Sequence, residues 1–357
     1  MTQRVKGVSV FWNRILSLNP LELLGAALSI PLFSLALASL LLAGHGLIRR
    51  ARRSAAKPTP QTGASASSAA AQYVLERRIL GIGAVGVIVA FAIEYVVRGY
   101  LLNISDTVDW WRYATPVLSA LVALAVLLGF IVFRGTVTPE RPAVSTARRT
   151  WSSFGPRRGL IGTSFLAVVF LATTIAAGLV SSPDDRGRFI YLEIPAPNTT
   201  IDPLRPWFYG WAYGVPVIVC VAALIAVTWV TLRSNAVRPF LRPQTVVAEQ
   251  RARVEIATSA VYIAAAGMLL ALGGAFRFIG QSGSYSNLTI GDDGLSNSYE
   301  LSWRYASLAI AAGWVSPVME ITAFVLLLLV ARRLLRSRPG GELSQNREQN
   351  SMSNTVR

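Results

Sequence analysis

Lysine, cysteine and histidine are nearly missing from this chain, and each scarcity removes a class of function. The only lysines, Lys6 and Lys57, lie outside the long apolar runs, so a retinal Schiff base on a bundle lysine is excluded. The one cysteine, Cys220, permits neither an internal disulfide nor a thiolate metal cluster. The one histidine, His45, cannot supply the paired axial ligands of a membrane haem or a polyhistidine metal centre. Charge is scarce as well. Of 357 residues, 15% are charged against 53% hydrophobic, and the mean hydropathy is +0.47. A soluble protein of this length needs more charge than that to cover its surface. No familiar catalytic or cofactor motif is present, so neither a cofactor nor a metal is expected.

Apolar length is abundant. Seven stretches approach the roughly 20 residues that a helix needs to cross the hydrocarbon layer. They are Leu23–Leu47, Leu80–Val97, Ala114–Phe133, Leu160–Val180, Trp211–Leu232, Ile256–Phe276 and Tyr305–Ala331. Inside lipid the backbone must satisfy its own hydrogen bonds, so runs of this length predict helices. The short alternating segments of a β-barrel are absent. The expected fold is an all-α polytopic membrane protein with seven transmembrane helices.

The formal charge of +16 does not indicate a nucleic-acid partner, because the arginines gather at the ends of the apolar runs rather than in one domain. Residues 47–78, 134–158, 233–255 and the segment after Ala331 are rich in arginine. The alternate connections carry nine acids: Asp106, Asp109, Asp184, Asp185, Glu193, Asp202, Asp292, Asp293 and Glu300. By the positive-inside rule the basic segments and the C-terminus are cytoplasmic, which with seven crossings leaves the N-terminus outside a cell membrane. The basic segments are then expected to meet anionic lipid. A membrane-protein partner or a second copy of the chain is the other contact expected.

Three regions follow. Residues 1–20 form an outer segment whose Val8–Leu16 word suits the membrane interface, residues 21–335 the helical domain, and residues 336–357 a disordered cytoplasmic tail. Residues 54–71, small and polar, read as a flexible cytoplasmic linker. The longest outer loop, Ser181 to Trp211, holds five prolines between Pro183 and Pro206 and reads as a small folded cap.

The outer loops end in similar words where the chain re-enters the membrane: Trp111-Arg112-Tyr113-Ala114, Trp211-Ala212-Tyr213-Gly214 and Trp303-Arg304-Tyr305-Ala306. A repeat of about 100 residues would make the domain one leading helix plus three hairpins. Interface chemistry produces the same words, because Trp and Tyr collect at both membrane surfaces.

Glu320 is the sharpest candidate residue. It falls near mid-span, three residues after Pro317 and next but three to Ser316. A carboxylate at that depth must face the bundle, a partner or a water-filled cavity. It is expected to sit there mostly neutral, without a salt-bridge partner, bonded at most to a serine or threonine of a neighbouring helix. Pro317 frees the carbonyl of Gly313, where a kink or binding notch is expected. Glu94 and Arg98 lie four apart on one face and suit a local ion pair, with Arg98 snorkelling toward the headgroups. Arg277 reads as the end of the sixth span, an interfacial anchor. Glu94, Arg98, Arg277 and Arg304 are candidates to line an outer vestibule. His45 reads as the cytoplasmic end of the first span.

Enzymatic chemistry is disfavoured. No intramembrane aspartate pair exists, and no histidine stands at the depth of Ser34, Ser39, Ser119 or Ser164 to activate a serine. The pattern points to translocation of a small solute or ion using a buried carboxylate. The alternative is a non-catalytic accessory or scaffold subunit, docking through small-residue faces such as Gly81-Ile82-Gly83 and Gly162.

Overall fold

The computed structural model describes residues 25, 28, 30–54, 73–98, 108–133, 150–196, 202–240, 245–292, 295–301 and 303–336. The outer segment 1–20, nearly all of the 54–71 linker and the tail beyond residue 336 lie outside the described residues. Seven long helices follow one another: α1 (Pro31–Ser54), α2 (Val74–Val96), α3 (Thr115–Phe133), α4 (Arg157–Val180), α5 (Trp211–Val237), α6 (Val246–Gly283) and α7 (Ala306–Arg336). Several starts coincide with proline, where the missing backbone donor costs nothing: Pro31 opens α1, Pro116 is second in α3 and Pro156 precedes α4.

Six helices, α2 to α7, are long and apolar enough to cross a membrane. The leading helix is shorter in this respect, since its apolar part covers Pro31–Leu47. Most of the expected first span before Pro31 lies outside the described residues. The outward faces carry large apolar side chains such as Ile82, Val89, Val122, Val126, Phe165 and Trp314. In water such a surface would be an aggregation liability; against lipid it costs nothing. The chain is a polytopic membrane protein.

α6 is the axis. Its 38 residues extend about 57 Å at 1.5 Å per residue, longer than the hydrocarbon layer requires. It packs against α2, α3, α4, α5 and α7, while α1 docks on α7. In its most apolar stretch 83% of residues are buried, against 22–33% in the other five spans. A helix so enclosed needs small side chains, and α6 supplies Ala260, Ala264, Gly267 and Ala271. A Cβ on Gly267 would come 2.7 Å from the Cβ of Ala120 on α3. Close approach of backbones is the usual basis of packing in lipid, where no hydrophobic effect draws helices together.

The connections after α4 and α6 contain the only strands among the described residues. β1 (Ser181–Pro183) pairs antiparallel with β2 (Phe189–Leu192) after α4, and β3 (Asn287–Asp292) with β4 (Leu295–Glu300) after α6. The first turn needs a positive φ, met by Gly187 at 76°. Asp184 closes it, accepting hydrogen bonds from the backbone N–H groups of Arg186 and Arg188 and from the Arg188 guanidinium. Desolvation alone would raise the Asp184 carboxyl, but these donors outweigh it and hold the group below the ordinary aspartate value. Bridges Tyr191 to Trp207 and Ile194 to Leu204 extend the hairpin, and Ile190, Leu192, Ile194 and Phe208 are buried beneath it. The loop is therefore the folded cap expected from its sequence, with β-structure that an all-α reading does not include.

The recurrent Trp words stand at helix starts, but their surroundings differ. Trp111 is exposed, Trp211 lies against Gly178, and Trp303 packs on Gly283 and Phe208. Tyr113 and Tyr213 meet edge to face with ring centroids 5.5 Å apart, whereas Tyr305 is exposed beside Trp303. Two of the three words thus meet in one cluster.

The seam between α6 and α7 is the tightest contact in the bundle. A Cβ on Gly280 would sit 2.7 Å from the Cα of Gly313, a backbone atom that cannot swing aside. Gly280→Leu is expected to destabilise the protein by about 1–3 kcal/mol, the usual cost of overpacking. Gly162→Leu, where nothing lies within 4 Å, should be nearly neutral. Heating with a thiol-reactive dye that reads exposure of Cys220 checks both, and equal melting temperatures would refute the seam.

Candidate functional site

Glu320 does face the bundle. It is 1% exposed, on the side of α7 that meets α6 and α1. Its partner differs from the expectation. Arg277 grips it side-on, with Nη2 2.7 Å from Oε2 and 2.8 Å from Oε1, and Nε 3.2 Å from Oε1. Ser34 of α1 donates to Oε2 at 3.0 Å, which meets the expected bond from a neighbouring serine. Ser316 donates to the carbonyl of Gly273 at 2.8 Å and stands 3.5 Å from Glu320 Oε1. Arg277 also donates to the carbonyl of Leu28 at 3.0 Å. The unpaired neutral acid is thus replaced by a buried ion pair with its hydrogen bonds largely filled.

Arg277 is not an interfacial anchor. α6 continues through it to Gly283, because Gly280 and Gly283 keep that stretch packed against α7 instead of ending it at Phe276. The guanidinium therefore points into the bundle and is 15% exposed. α7 is likewise continuous through Pro317. Pro317 itself is only partly buried, and Gly313 beside it serves the packing against Gly280. α1 runs past His45 to Ser54, so the exposed histidine is not a helix end.

Above the pair lies a cavity of about 250 Å³. Pro31 of α1, Glu94 and Tyr95 of α2, Arg112 and Tyr113 ahead of α3, Arg277 and Gln281 of α6, and Glu320 of α7 reach it. Glu94 accepts from Arg98 at 3.0 Å as the spacing suggested. Arg98 does not snorkel outward, since its Nη2 lies 2.7 Å from Asp109 in the turn before α3. It stands behind Glu94 rather than in the cavity wall. Arg304 is exposed beside Tyr305, away from the cavity. Of the four residues suggested for a vestibule, Glu94 and Arg277 line the cavity, Arg98 supports one of them, and Arg304 takes no part.

Arg112 and Tyr113 were legible only as part of an interfacial word. Their side chains turn inward, where Tyr113, Tyr209, Tyr213 and Phe278 form an aromatic cluster with centroid separations of 5.1–6.4 Å. Arg112 lies over Tyr113 and Phe278, 5.0 and 5.5 Å from the ring centroids. Burial pushes the Tyr113 and Tyr209 hydroxyls well above the ordinary tyrosine value, so both remain neutral donors.

A second cluster closes the basic end. Arg253 is fully buried and donates to the carbonyls of Arg238 and Pro239 at 2.6 and 2.7 Å, with Phe240 under its guanidinium at 4.5 Å. Glu249 is 3.6 Å away, and the Tyr73 hydroxyl accepts a bond from Arg253 Nε at 3.3 Å. Glu76 pairs with Arg238 at 2.7 Å and Arg77 with Glu255 at 2.8 Å. Charge counting placed Arg253 with the membrane-orienting arginines. The signal that marks it out is spacing, because Glu249, Arg253, Ile256 and Ala260 share one buried stripe of α6.

Removing one partner of a buried ion pair leaves the other uncompensated, which costs about 3 kcal/mol or more. Glu320→Gln alone is therefore expected to lower thermal stability more than the double variant Arg277→Gln/Glu320→Gln, which removes both charges. A double-mutant cycle on melting temperatures checks this, and additive losses would rule out the coupling. Among the described residues no group of three or more His, Cys, Asp or Glu side chains is arranged to hold a metal. No family model matches the chain, and neither a curated protein nor a solved structure matches it.

Proposed function

We propose that the chain translocates a small solute or ion, entering from the outer side and passing the Arg277–Glu320 pair. The observation that carries this reading is the polar cavity that reaches an intramembrane ion pair. A dry bundle serving only as a docking surface has no need of such a cavity. Intramembrane ionisable residues are expensive and concentrate on substrate, ion and proton paths. Glu320 can exchange Arg277 for a proton or a cation, and a solute that competes for either partner would loosen the contacts joining α1, α6 and α7.

The orientation proposed is N-terminus outside and C-terminus cytoplasmic in the cell membrane. Support comes from Arg77, Arg233, Arg238, Arg253 and Arg332, which stand at the end of the bundle opposite the two hairpins. The same end would meet anionic lipid. Reporter fusions after Ser65, Ser145, Thr245 and Gln345 should all report cytoplasm, and one clear exterior signal would break the assignment.

The transport reading is tested in liposomes with a pH dye inside, under imposed proton and sodium gradients. Wild-type protein is expected to carry a flux above empty liposomes that Arg277→Gln/Glu320→Gln abolishes while monodispersity in detergent survives. A flux unaffected by that variant overturns the role of the pair. No flux of protons, sodium or added solute overturns translocation and leaves the accessory-subunit reading in its place.

A further inference from the structure

The charges around the outer cavity are separated rather than paired one to one. Arg98 bridges two acids, Glu94 at 3.0 Å and Asp109 at 2.7 Å, so Glu94 shares its guanidinium with a second carboxylate. At the floor Arg277 and Glu320 cancel. The other positive charge in the wall is Arg112, which lies over the rings of Tyr113 and Phe278 and meets no carboxylate among the described residues. Glu94 and Arg112 both line the cavity. Its wall is therefore neutral in sum, negative at α2 and positive at the turn before α3.

A second observation points to the same side. The Tyr113 hydroxyl is buried with no hydrogen-bond partner among the described residues, and Tyr113 lines the cavity. An unmade bond at a buried donor is costly, so a ligand acceptor there gains what the protein alone leaves unmade. In a low-dielectric site a net ion would bring an uncompensated charge, whereas a ligand with both signs finds a partner for each. At about 250 Å³ the cavity falls below the roughly 300–1,000 Å³ of sites for drug-sized ligands. Only a small solute fits.

We propose that the cavity binds a small zwitterion, its carboxylate on Arg112 and the Tyr113 hydroxyl and its cationic nitrogen toward Glu94. This deepens the translocation reading and rests on the same cavity being a solute site. Two chemistries share the charge pattern, a primary ammonium as in an α-amino acid and a quaternary ammonium as in a betaine. Phe91 and Tyr95 place aromatic side chains in the wall, which suits the second.

The test uses the full chain in nanodiscs, with fluorescence of Trp110 and Trp111 and the melting temperature as readouts. L-Alanine and glycine betaine are the zwitterionic probes; acetate and methylammonium supply each charge alone. At least one zwitterion is expected to give a saturable change, with each half-molecule weaker by about tenfold or more. Arg112→Ala should weaken binding by a similar factor, about tenfold. Tyr113→Phe keeps the ring and should weaken it severalfold without affecting the fold. Binding of acetate or methylammonium as tight as that of the zwitterions overturns the proposal in favour of a simple ion site, and no saturable response overturns it outright. Zwitterion binding without flux would leave this site standing and defeat translocation; flux abolished by the Arg277/Glu320 double variant, without zwitterion binding, would do the reverse.

Discussion

The Arg277–Glu320 pair is the constraint around which the bundle is arranged. Two charges at that depth are tolerated only where desolvation is offset by close contact and by hydrogen bonds to the remaining lone pairs and protons. The structure supplies both. Side-on contact brings two guanidinium nitrogens to the carboxylate, Ser34 adds a donor, and Leu28 provides a carbonyl for Nη1. These partners come from α1, α6 and α7, so one ion pair fixes the relative positions of three helices. Gly273 is part of the same arrangement. A Cβ there would sit 3.1 Å from the Glu320 Cγ, and its carbonyl accepts the Ser316 hydroxyl.

From that point the two ends of the bundle diverge. Toward the hairpins, the turn before α3 and the aromatic cluster border a polar cavity. At the basic end the chain is drawn together, with Arg253 filling the carbonyls that follow α5 and Glu76 and Arg77 tying α2 to the same region. These contacts clamp α2, α5 and α6 together at the basic end. The clamp is built mainly from charge-assisted hydrogen bonds, which can be exchanged for water more readily than a packed apolar core.

Much of the architecture was legible because a single force controls it. Lipid demands long apolar helices, and the alternating arginine-rich and acid-bearing connections mark the two ends; α3, α4, α5 and α7 begin close to their expected starts, whereas α6 runs from Val246 to Gly283 instead of Ile256 to Phe276. Glu320 was legible for the same reason, since a carboxylate in the middle of an apolar run has few places to go. The cap after α4 was legible from its prolines, though not its strands, which are only 3 and 4 residues long.

Sequence by itself determined which segments lie in the membrane, which connections carry base, and that Glu320 must be enclosed. Tertiary structure alone decided what encloses it. Arg277 stands 43 positions away and Ser34 286 positions away, so no local spacing connects them. Its reading as an anchor depended on α6 ending at Phe276; small residues at Gly280 and Gly283 let α7 continue the burial and turn the arginine inward. Arg112 and Tyr113 carry the same lesson. An interfacial word looks alike whether its side chains face headgroups or a cavity, because composition records affinity for an interface, while direction is set by the helices that pack beside it.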